Sequence, residues 1–515
     1  MAFFVYQYQY NRKKAACQEK FIKNRPVLYK EKVLFIDLYS AKIELKQRKD
    51  FFLMNNLFIT PNDFNLSTDS ENIQAAVNEA KKLGINKVVI PRINKTSGKA
   101  LWVIDKTIRL PSDIEIVLDN CFMQMADGVV GGFFCSETLF TDKGTSLKYR
   151  MKNIHIRGLG NATLDGGKPT GLSEKTQKEY GYPVRLNTPI FFMNVENFSV
   201  ENISITNHRY WGMRFQFCSR GVVRNIFFEG HCDSKNQDGI NLRNGCNHIL
   251  IENIHGQTGD DMIALSAIDT DRKVGFNIDY PLIVEGHNWD IHDVTIRNIS
   301  GSAIHHPLVA MRNHNGAKIY NIVIDNLRDT EQLFDAVGAE RFNYERYGVV
   351  VIGSPNYFVE ENKMGDTYNI SVSNVYATHS AKAIYLACTL RNSTFRNIFA
   401  SGLCRHVASV IQTEGWDMKF AGIKMENVIF DSVYHTPAEK EGAWTFDFSI
   451  MRDEDYIKNL IVSNICTENT SHLAEISENV FDKVDITLTG ARIDTEEAKK
   501  IKKVSKTRIF TRVDP

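Results

Sequence analysis

The sequence has no surplus of either charge: 62 lysines and arginines stand against 61 acidic residues, a formal net of +1. Such a balance leaves no electrostatic footprint for nucleic acid or an anionic membrane surface, and neither is expected as a partner. No apolar run approaches the ~18 residues that a membrane span requires. Nine cysteines, at 17, 121, 135, 218, 232, 246, 388, 404 and 466, form no CxxC and no paired spacing. A disulfide framework is thereby disfavoured, and free, mostly buried thiols in a reducing compartment are expected. The opening MAFFVYQYQYNRKK places its aromatic residues before its basic ones. A secretory signal has the reverse order, so a cytoplasmic location is expected in preference to an extracellular one. Nothing indicates a metal or another cofactor.

Residues 1–53 show no clear period, whereas MNNLFITPNDFNLSTDSENIQ from Met54 reads as a natural start. The first 53 residues are therefore expected to be an appendage, disordered or the product of an early start codon. One long domain is expected over 54–490. The charged stretch ARIDTEEAKKIKKVSKTR (491–508) is expected to be a short helix or a solvated end within a 491–515 tail.

Between these ends a phrase recurs. It appears as KNIHIRGLG at 152–160, ENFSVENISITN at 196–207, RGVVRNIFFEG at 220–230, CNHILIENIHG at 246–256 and IHDVTIRNISG at 291–301. It continues as AKIYNIVIDNL, TYNISVSNVYA, RNSTFRNIFAS, GIKMENVIFDS and IKNLIVSNICT, at a usual interval of about 22–27 residues. Alternation with period two means strands, and a fixed period in this range means a stacked array. Three short strands per turn without intervening helices predict an all-β fold, the right-handed parallel β-helix. Equivalent positions of successive turns then lie ~4.8 Å apart, and the recurrent asparagines form ladders at a bend. The open end needs a cap. SENIQAAVNEAKKLG (70–84) supplies one: Ser70 or Asp69 as N-cap, Ile73, Ala76, Val77 and Ala80 as the apolar face, Gly84 as terminator. KVVIPR (87–92) then starts the strands.

Two segments of this array, NQDGINL (236–242) and GDDMIAL (259–265), superpose so that Asp238 falls on Asp261 at an offset of 23 residues. Asp260 lies one residue away along the strand. The preceding rung, YWGMRF (210–215), puts Trp211 in the same column. Asp-Gly is also a common turn pair, and a single aspartate here would read as structural. Three carboxylates on adjacent rungs under a tryptophan read as a sugar site. The indole face stacks on a pyranose, one carboxyl protonates the leaving oxygen and another activates water. A separation of about 6.5–9.5 Å between the two carboxyls gives inversion. Mutual repulsion of the charges keeps one of them protonated.

These residues resemble glycoside hydrolase family 28, the polygalacturonases and their relatives, within the pectin-lyase-like superfamily. NQDG is similar to the family's Asn-x-Asp motif and GDDMIAL to its Gly/Gln-Asp-Asp motif. The likeness extends over roughly residues 66–310 and includes GLGNATLDGG (158–167) and TPIFFMNVENFSVENISITNHRYWGM (188–213). The resemblance implies that Asp261 is the general acid and that Asp238 and Asp260 position and deprotonate the water. It implies an oligosaccharide or polysaccharide substrate of the pectin type or a related one, with a neutral or differently decorated glycan left open, no cofactor and a monomer.

Two further family motifs depart from the pattern. Of the expected Gly-His-Gly only a histidine remains: His306 in SAIHHPLVAM lies over it, His305 is nearly equivalent and His287 is a third choice. The family's Arg-x-Lys pair falls on Val350 and Ile352, which are not basic. Arg312, Arg341, Arg346, Arg214 and Arg243 are the available substitutes, since a guanidinium matches a carboxylate bidentately. Catalysis is thus assigned to Asp238, Asp260, Asp261 and His306. Substrate binding is assigned to Trp211, Arg214, Asn236, Arg243, His305 and Arg312. The insertions at 267–289 and 328–346 are expected to close one end of the groove and to favour trimming from a chain terminus. The alternatives are a lyase or uronate epimerase on the same fold, and a β-helix that binds glycans without cleaving them.

Overall fold

The computed structural model describes residues 58–505, apart from 172–183, 235, 269–282, 305, 315, 338–347, 354–361 and 411–421. Expectations for residues 1–53, His305, Arg341 and Arg346 lie outside the described residues. No helix among the described residues is long and apolar enough to cross a membrane.

The chain coils as a right-handed parallel β-helix. Its described strands fall into one 17-stranded and one 13-stranded parallel sheet. The larger sheet is creased along its length by pairs of left-handed residues five apart, among them Asn321 and Asn326 (φ 55° and 57°), and Asn369 and Asn374 (φ 54° and 58°). Asparagine tolerates this conformation better than other L-residues with a β-carbon, because its short amide bonds locally. Here the amides bond along the stack. Asn326 donates to Asn298 (2.9 Å), Asn298 to Asn253 (3.0 Å), Asn253 to Asn225 (2.8 Å) and Asn225 to Asn202 (2.7 Å). The recurrent asparagines of the repeat are this ladder.

The helix α1, Asp69–Leu83, closes the first turn. Its face of Ile73, Ala76, Val77 and Ala80 is fully buried, and Gly84 ends it at φ 68°. The N-cap differs from expectation. Thr68 accepts from the Glu71 amide, while Ser70 accepts from the amides of Asp105 and Lys106, and Asp69 from that of Val103. Both residues tie the helix to the strands beneath it, which leaves Thr68 to satisfy the helix end. At the other terminus the described part of the charged stretch, 491–505, is two short strands joined by a largely exposed turn, with no helix. Arg492–Ile493 pairs with 466–467 and Ile501–Val504 with 474–477, so backbone pairing with the last rung wins over helix propensity there.

Five short strands of the smaller sheet position the site: β1 (Met213–Gln216), β2 (Ile240–Arg243), β3 (Ile263–Ala267), β4 (Val309–Asn313) and β5 (Gly348–Ile352). Their inward residues stack in register as Ile240, Ile263, Val309 and Val350, and as Leu242, Leu265, Met311 and Ile352. All eight are at most 1% exposed. Val350 and Ile352 therefore continue the apolar interior and cannot serve as a base pair on the groove. The outward Val351 packs with Tyr385, Ala387 and Cys388, so β5 is apolar on both faces. The eight described cysteines are all free and six are buried, as expected.

Candidate active site

Asp238 precedes β2 and Asp261 precedes β3, each on the same approach to the short strand. The Gly212 amide donates to the Asp238 carbonyl (2.8 Å) and the Gly239 amide to the Asp261 carbonyl (2.9 Å). With Ile240 paired to Ile263, these bonds put Trp211, Asp238 and Asp261 in one column, as the offset of 23 implies. Glycine is needed after Asp238: a β-carbon on Gly239 would lie 2.4 Å from the Met262 carbonyl oxygen.

The next rung arrives through β4. Met262 and Ile263 donate to the carbonyls of Pro307 and Leu308, which sets His306 beside Asp260. His306 Nδ1 lies 2.9 Å from Asp260 Oδ1, and the Asp261 amide donates to the same oxygen at 2.9 Å. Arg312 reaches back one rung from β4. Its Nη2 donates to Asp261 Oδ1 at 3.0 Å and its Nη1 to Oδ2, a bidentate pair. Of the two described candidate histidines, His306 meets the aspartates. His287 bonds the Asn288 carbonyl and packs on Phe217.

The three carboxyls are electrostatically distinct. Burial, then the charges of Asp260 and Asp261, push the Asp238 carboxyl well above the usual carboxylate range. Asn241, which donates to Asp238 Oδ2 at 3.1 Å, offsets this only in part, and Oδ1 is buried without a hydrogen-bond partner. Burial alone would raise Asp260 too. The charge and hydrogen bond of His306 outweigh it and hold Asp260 below its usual value. Conversely, burial would lower His306, but the Asp260 carboxylate keeps it above the ordinary imidazole value. Asp238 is thus pushed toward its protonated form and Asp260 toward its ionised form, while Arg312 holds Asp261 bidentately.

A stability test follows from the sign of the Asp238 shift. In the unfolded chain this carboxyl loses its proton at its ordinary pKa; in the folded chain it retains it to higher pH. Between those two values folding becomes steadily less favourable as pH rises. Asp238→Asn removes this dependence, because the amide carries no charge at any pH. The variant is expected to match wild type in acid and to exceed it by on the order of 1–3 kcal/mol near neutrality. Urea unfolding at a series of pH values measures this, and a gap that does not widen with pH contradicts it.

The expected binding residues are less open than the sequence suggests. Trp211 is 7% exposed. It stacks on Tyr210, with the guanidinium groups of Arg214 and Arg243 5.1 and 5.3 Å from its ring centre. Its faces are covered by the Tyr210 ring and the two guanidinium groups, a favourable packing, and do not form an open sugar platform. Arg214 is fully buried and bonds Gln216 Oε1. Arg243 and Arg312 share a register column on either side of Ser266. Asn236 stands partly exposed at φ 56°, in the turn that leads to Asp238.

Three supporting residues were not singled out from the sequence. Asn241 bonds Asp238 directly; its place three residues on, on the outward side of β2, was available from the strand alternation. His208, fully buried, bonds the Asp238 carbonyl through Nε2 at 2.9 Å, and burial pushes its pKa down to about 4. A carbonyl only accepts, so Nε2 carries the proton of a neutral ring. Gln237 knits the turn: its side chain donates to the His208 carbonyl and accepts from the Cys232 amide, and its carbonyl accepts from Gly259 and Asp260. No local motif marks either contact.

Beyond His306 lies a cavity of about 490 Å³, lined among others by Ser302, Asp329, Glu331, Gln332 and His379. Its size falls within the range of ligand pockets, ~300–1,000 Å³. The segment after Asp329 turns back across earlier rungs. Leu333 and Phe334 donate to Gln257 Oε1, His231 bonds the Asp335 carbonyl, and Val337 donates to that of His231. One oxygen or nitrogen from each of Asp260, Asp261 and His306 lies within 4.8 Å of the others, a spacing that suits a metal ion. The Arg312 guanidinium and the His306 ring already supply positive charge to these carboxylates.

Residues 136–279 match the family model of glycosyl hydrolases family 28. Polygalacturonase QRT2 of Arabidopsis thaliana is 33% identical over 78 residues, 15% of this chain, and the chain covers 18% of that protein's length. Among solved structures, the family 28 exopolygalacturonase of Yersinia enterocolitica superposes at TM-score 0.40 and 12% identity, over 87% of this chain and 77% of that one. The A-module of the mannuronan C-5 epimerase AlgE4 of Azotobacter vinelandii does so at 0.47 and 11%, over 87% and 98%.

Proposed function

From a segment matching family 28 glycosyl hydrolases that carries three aspartates on two adjacent rungs, we propose that this protein is an inverting glycoside hydrolase. Its substrates are galacturonate-containing oligosaccharides, trimmed from a chain end. The observation that carries the reading is the Asp238–Asp260–Asp261 cluster, with Asp260 and Asp261 each held by a cationic partner and Asp238 pushed toward its protonated form by burial.

The reaction needs a proton for the glycosidic oxygen and a base for water. Asp261 receives the proton from the neighbouring Asp238 when the substrate's own carboxylate draws Arg312 away. Asp261 then delivers it to the leaving oxygen. Water attacks the anomeric carbon from the opposite face and passes a proton to Asp260 or Asp238. The glycosidic C–O bond breaks as the new C–O bond forms, and no redox partner is required. His306 orients Asp260 throughout.

Arg312 thereby replaces the missing basic pair, and a uronate is favoured over a neutral sugar because only a uronate can exchange with Asp261 for the guanidinium. The segment 330–337, folded back over the turns at Gln257 and His231, supports action at a chain terminus. The free cysteines suit a reducing compartment. We place the enzyme in the cytoplasm as a monomer, where short oligosaccharides are the accessible substrate.

The test is reducing-end release from polygalacturonate, its oligomers, rhamnogalacturonan and neutral glycans, with ultraviolet absorbance followed in the same samples. Monomer release from galacturonate oligomers without an unsaturated product is expected. Random internal cleavage sinks the terminal mode. Rising absorbance replaces hydrolysis by elimination, and silence on every uronate substrate removes the reading.

A further inference from the structure

The second asparagine ladder has a break in it. This column runs through the first bend of each long strand, at Asn153, Asn197, Arg220, His248, Asp293, Asn321, Asn369, Asn392, Asn427 and Asn459, all at positive φ. Neighbouring pairings fix the register: Asn247 lies against His292 and Ile249 against Val294, so His248 stacks on Asp293. Seven of these ten positions are asparagine, which with aspartate and histidine is among the side chains best tolerated there. The three exceptions are successive, Arg220, His248 and Asp293, and His292 stands beside the last two.

The side chains of His248, His292 and Asp293 are oriented toward one another. His248 Nδ1 is 2.8 Å from Asn247 Oδ1, and Asn247 Nδ2 donates to the Gly245 carbonyl (3.1 Å), which fixes that oxygen toward the ring. An amide oxygen only accepts, so Nδ1 carries the proton and Nε2 offers a lone pair. That Nε2 is 3.7 Å from Asp293 Oδ2. The other oxygen, Oδ1, accepts from Asn321 (3.0 Å), which continues the ladder and holds the carboxylate. His292 Nδ1 lies 2.7 Å from Asp293 Oδ2, and its ring is stacked on Tyr320 at 4.8 Å and 3° between planes. Tyr320 stacks in turn on Tyr368. Each ligand is thus positioned by a second partner, an arrangement typical of metal-bound imidazoles and carboxylates.

We infer that His248, His292 and Asp293 form a surface site for a divalent transition-metal ion of the zinc type. One ligand atom from each lies within 4.8 Å of the others. A tetrahedral ion with bonds of ~2.0–2.1 Å places its ligand atoms roughly 3.3 Å apart, and the observed 2.7 and 3.7 Å bracket that value. Two imidazoles and one carboxylate match the preference of such ions, with water completing the shell. The ion takes the place of the proton between His292 and Asp293, the ring moving its proton to Nε2. It clamps two rungs where the amide ladder is interrupted. The inference is independent of the hydrolase reading.

The fold itself provides the control. His248→Asn and Asp293→Asn each install the residue that this column uses elsewhere, so both variants keep a foldable bend. Tag-free wild type is titrated with zinc chloride by calorimetry, and its melting temperature is read with and without the metal. Expected is one site of micromolar affinity and a zinc-dependent rise in Tm. In either variant, affinity falls at least about tenfold and the rise disappears, while the metal-free Tm is unchanged or higher. Wild type without zinc affinity overturns the inference. Equal binding by His248→Asn also overturns it, by placing the ion elsewhere, such as at Asp260, Asp261 and His306.

Discussion

Asp261→Asn lowers kcat on galacturonate oligomers by about 10³-fold without raising KM, as expected for a lost proton donor that contributes in the transition state and whose amide competes less than the carboxylate for Arg312. The amide keeps the shape of the side chain and a hydrogen bond to Arg312, so the groove is preserved. It cannot give up a proton, and the leaving oxygen must depart as an alkoxide. Steady-state kinetics on purified oligomers, with binding of the uncleaved oligomer measured separately, check both halves. A variant that binds normally but retains more than about a tenth of the wild-type rate removes Asp261 from the acid role, since general acids contribute about 10²–10⁴-fold.

Arg312→Met destabilises the fold by about 3–5 kcal/mol near neutral pH, the typical result of leaving one partner of a buried pair without its countercharge. Asp261 is 2% exposed and sits beside two further carboxyls, so water cannot take over the guanidinium's place. Arg312→Met combined with Asp261→Asn recovers most of the loss, because no charge is then stranded. Denaturant unfolding of the four proteins in this cycle gives the coupling directly. Arg312→Lys recovers less than the wild type, since an ammonium cannot bond both carboxylate oxygens in one plane. The same substitutions raise KM for uronate oligomers more than for neutral ones. Equal effects on both would mean that Arg312 braces Asp261 and takes no part in selecting substrate.

What the sequence made legible depends on what a β-helix repeats. The ladder asparagines, the buried face of α1 and the alignment of Asp238 with Asp261 all follow from a period and an alternation, and stacking converts both into position. Features set by side-chain reach were not legible. Arg312 lies 51 residues beyond Asp261 and meets it only because a loop of arbitrary length returns to the next rung. Trp211 looks like a platform in the string YWGMRF, but two arginines from its own and the next rung cover it. Thr68 caps α1 because Ser70 and Asp69 are engaged by strands more than thirty residues away. The strands at 492–493 and 501–504 read as helical or solvated because they are charged, and they pair because the last rung offers an open edge. His306 was separable from His287 only once β4 had a register.

The creased, laddered stack also has a mechanical aspect. Each turn is bonded to the turn before and the turn after, and the amide rows run along the axis like stitching. A load applied across the axis is shared by many rungs at once. A load applied along it falls on one seam at a time, so the molecule should part as a zip does, releasing a turn of chain with each step. The break in the second row at Arg220, His248 and Asp293 is then the point at which that seam is least sewn.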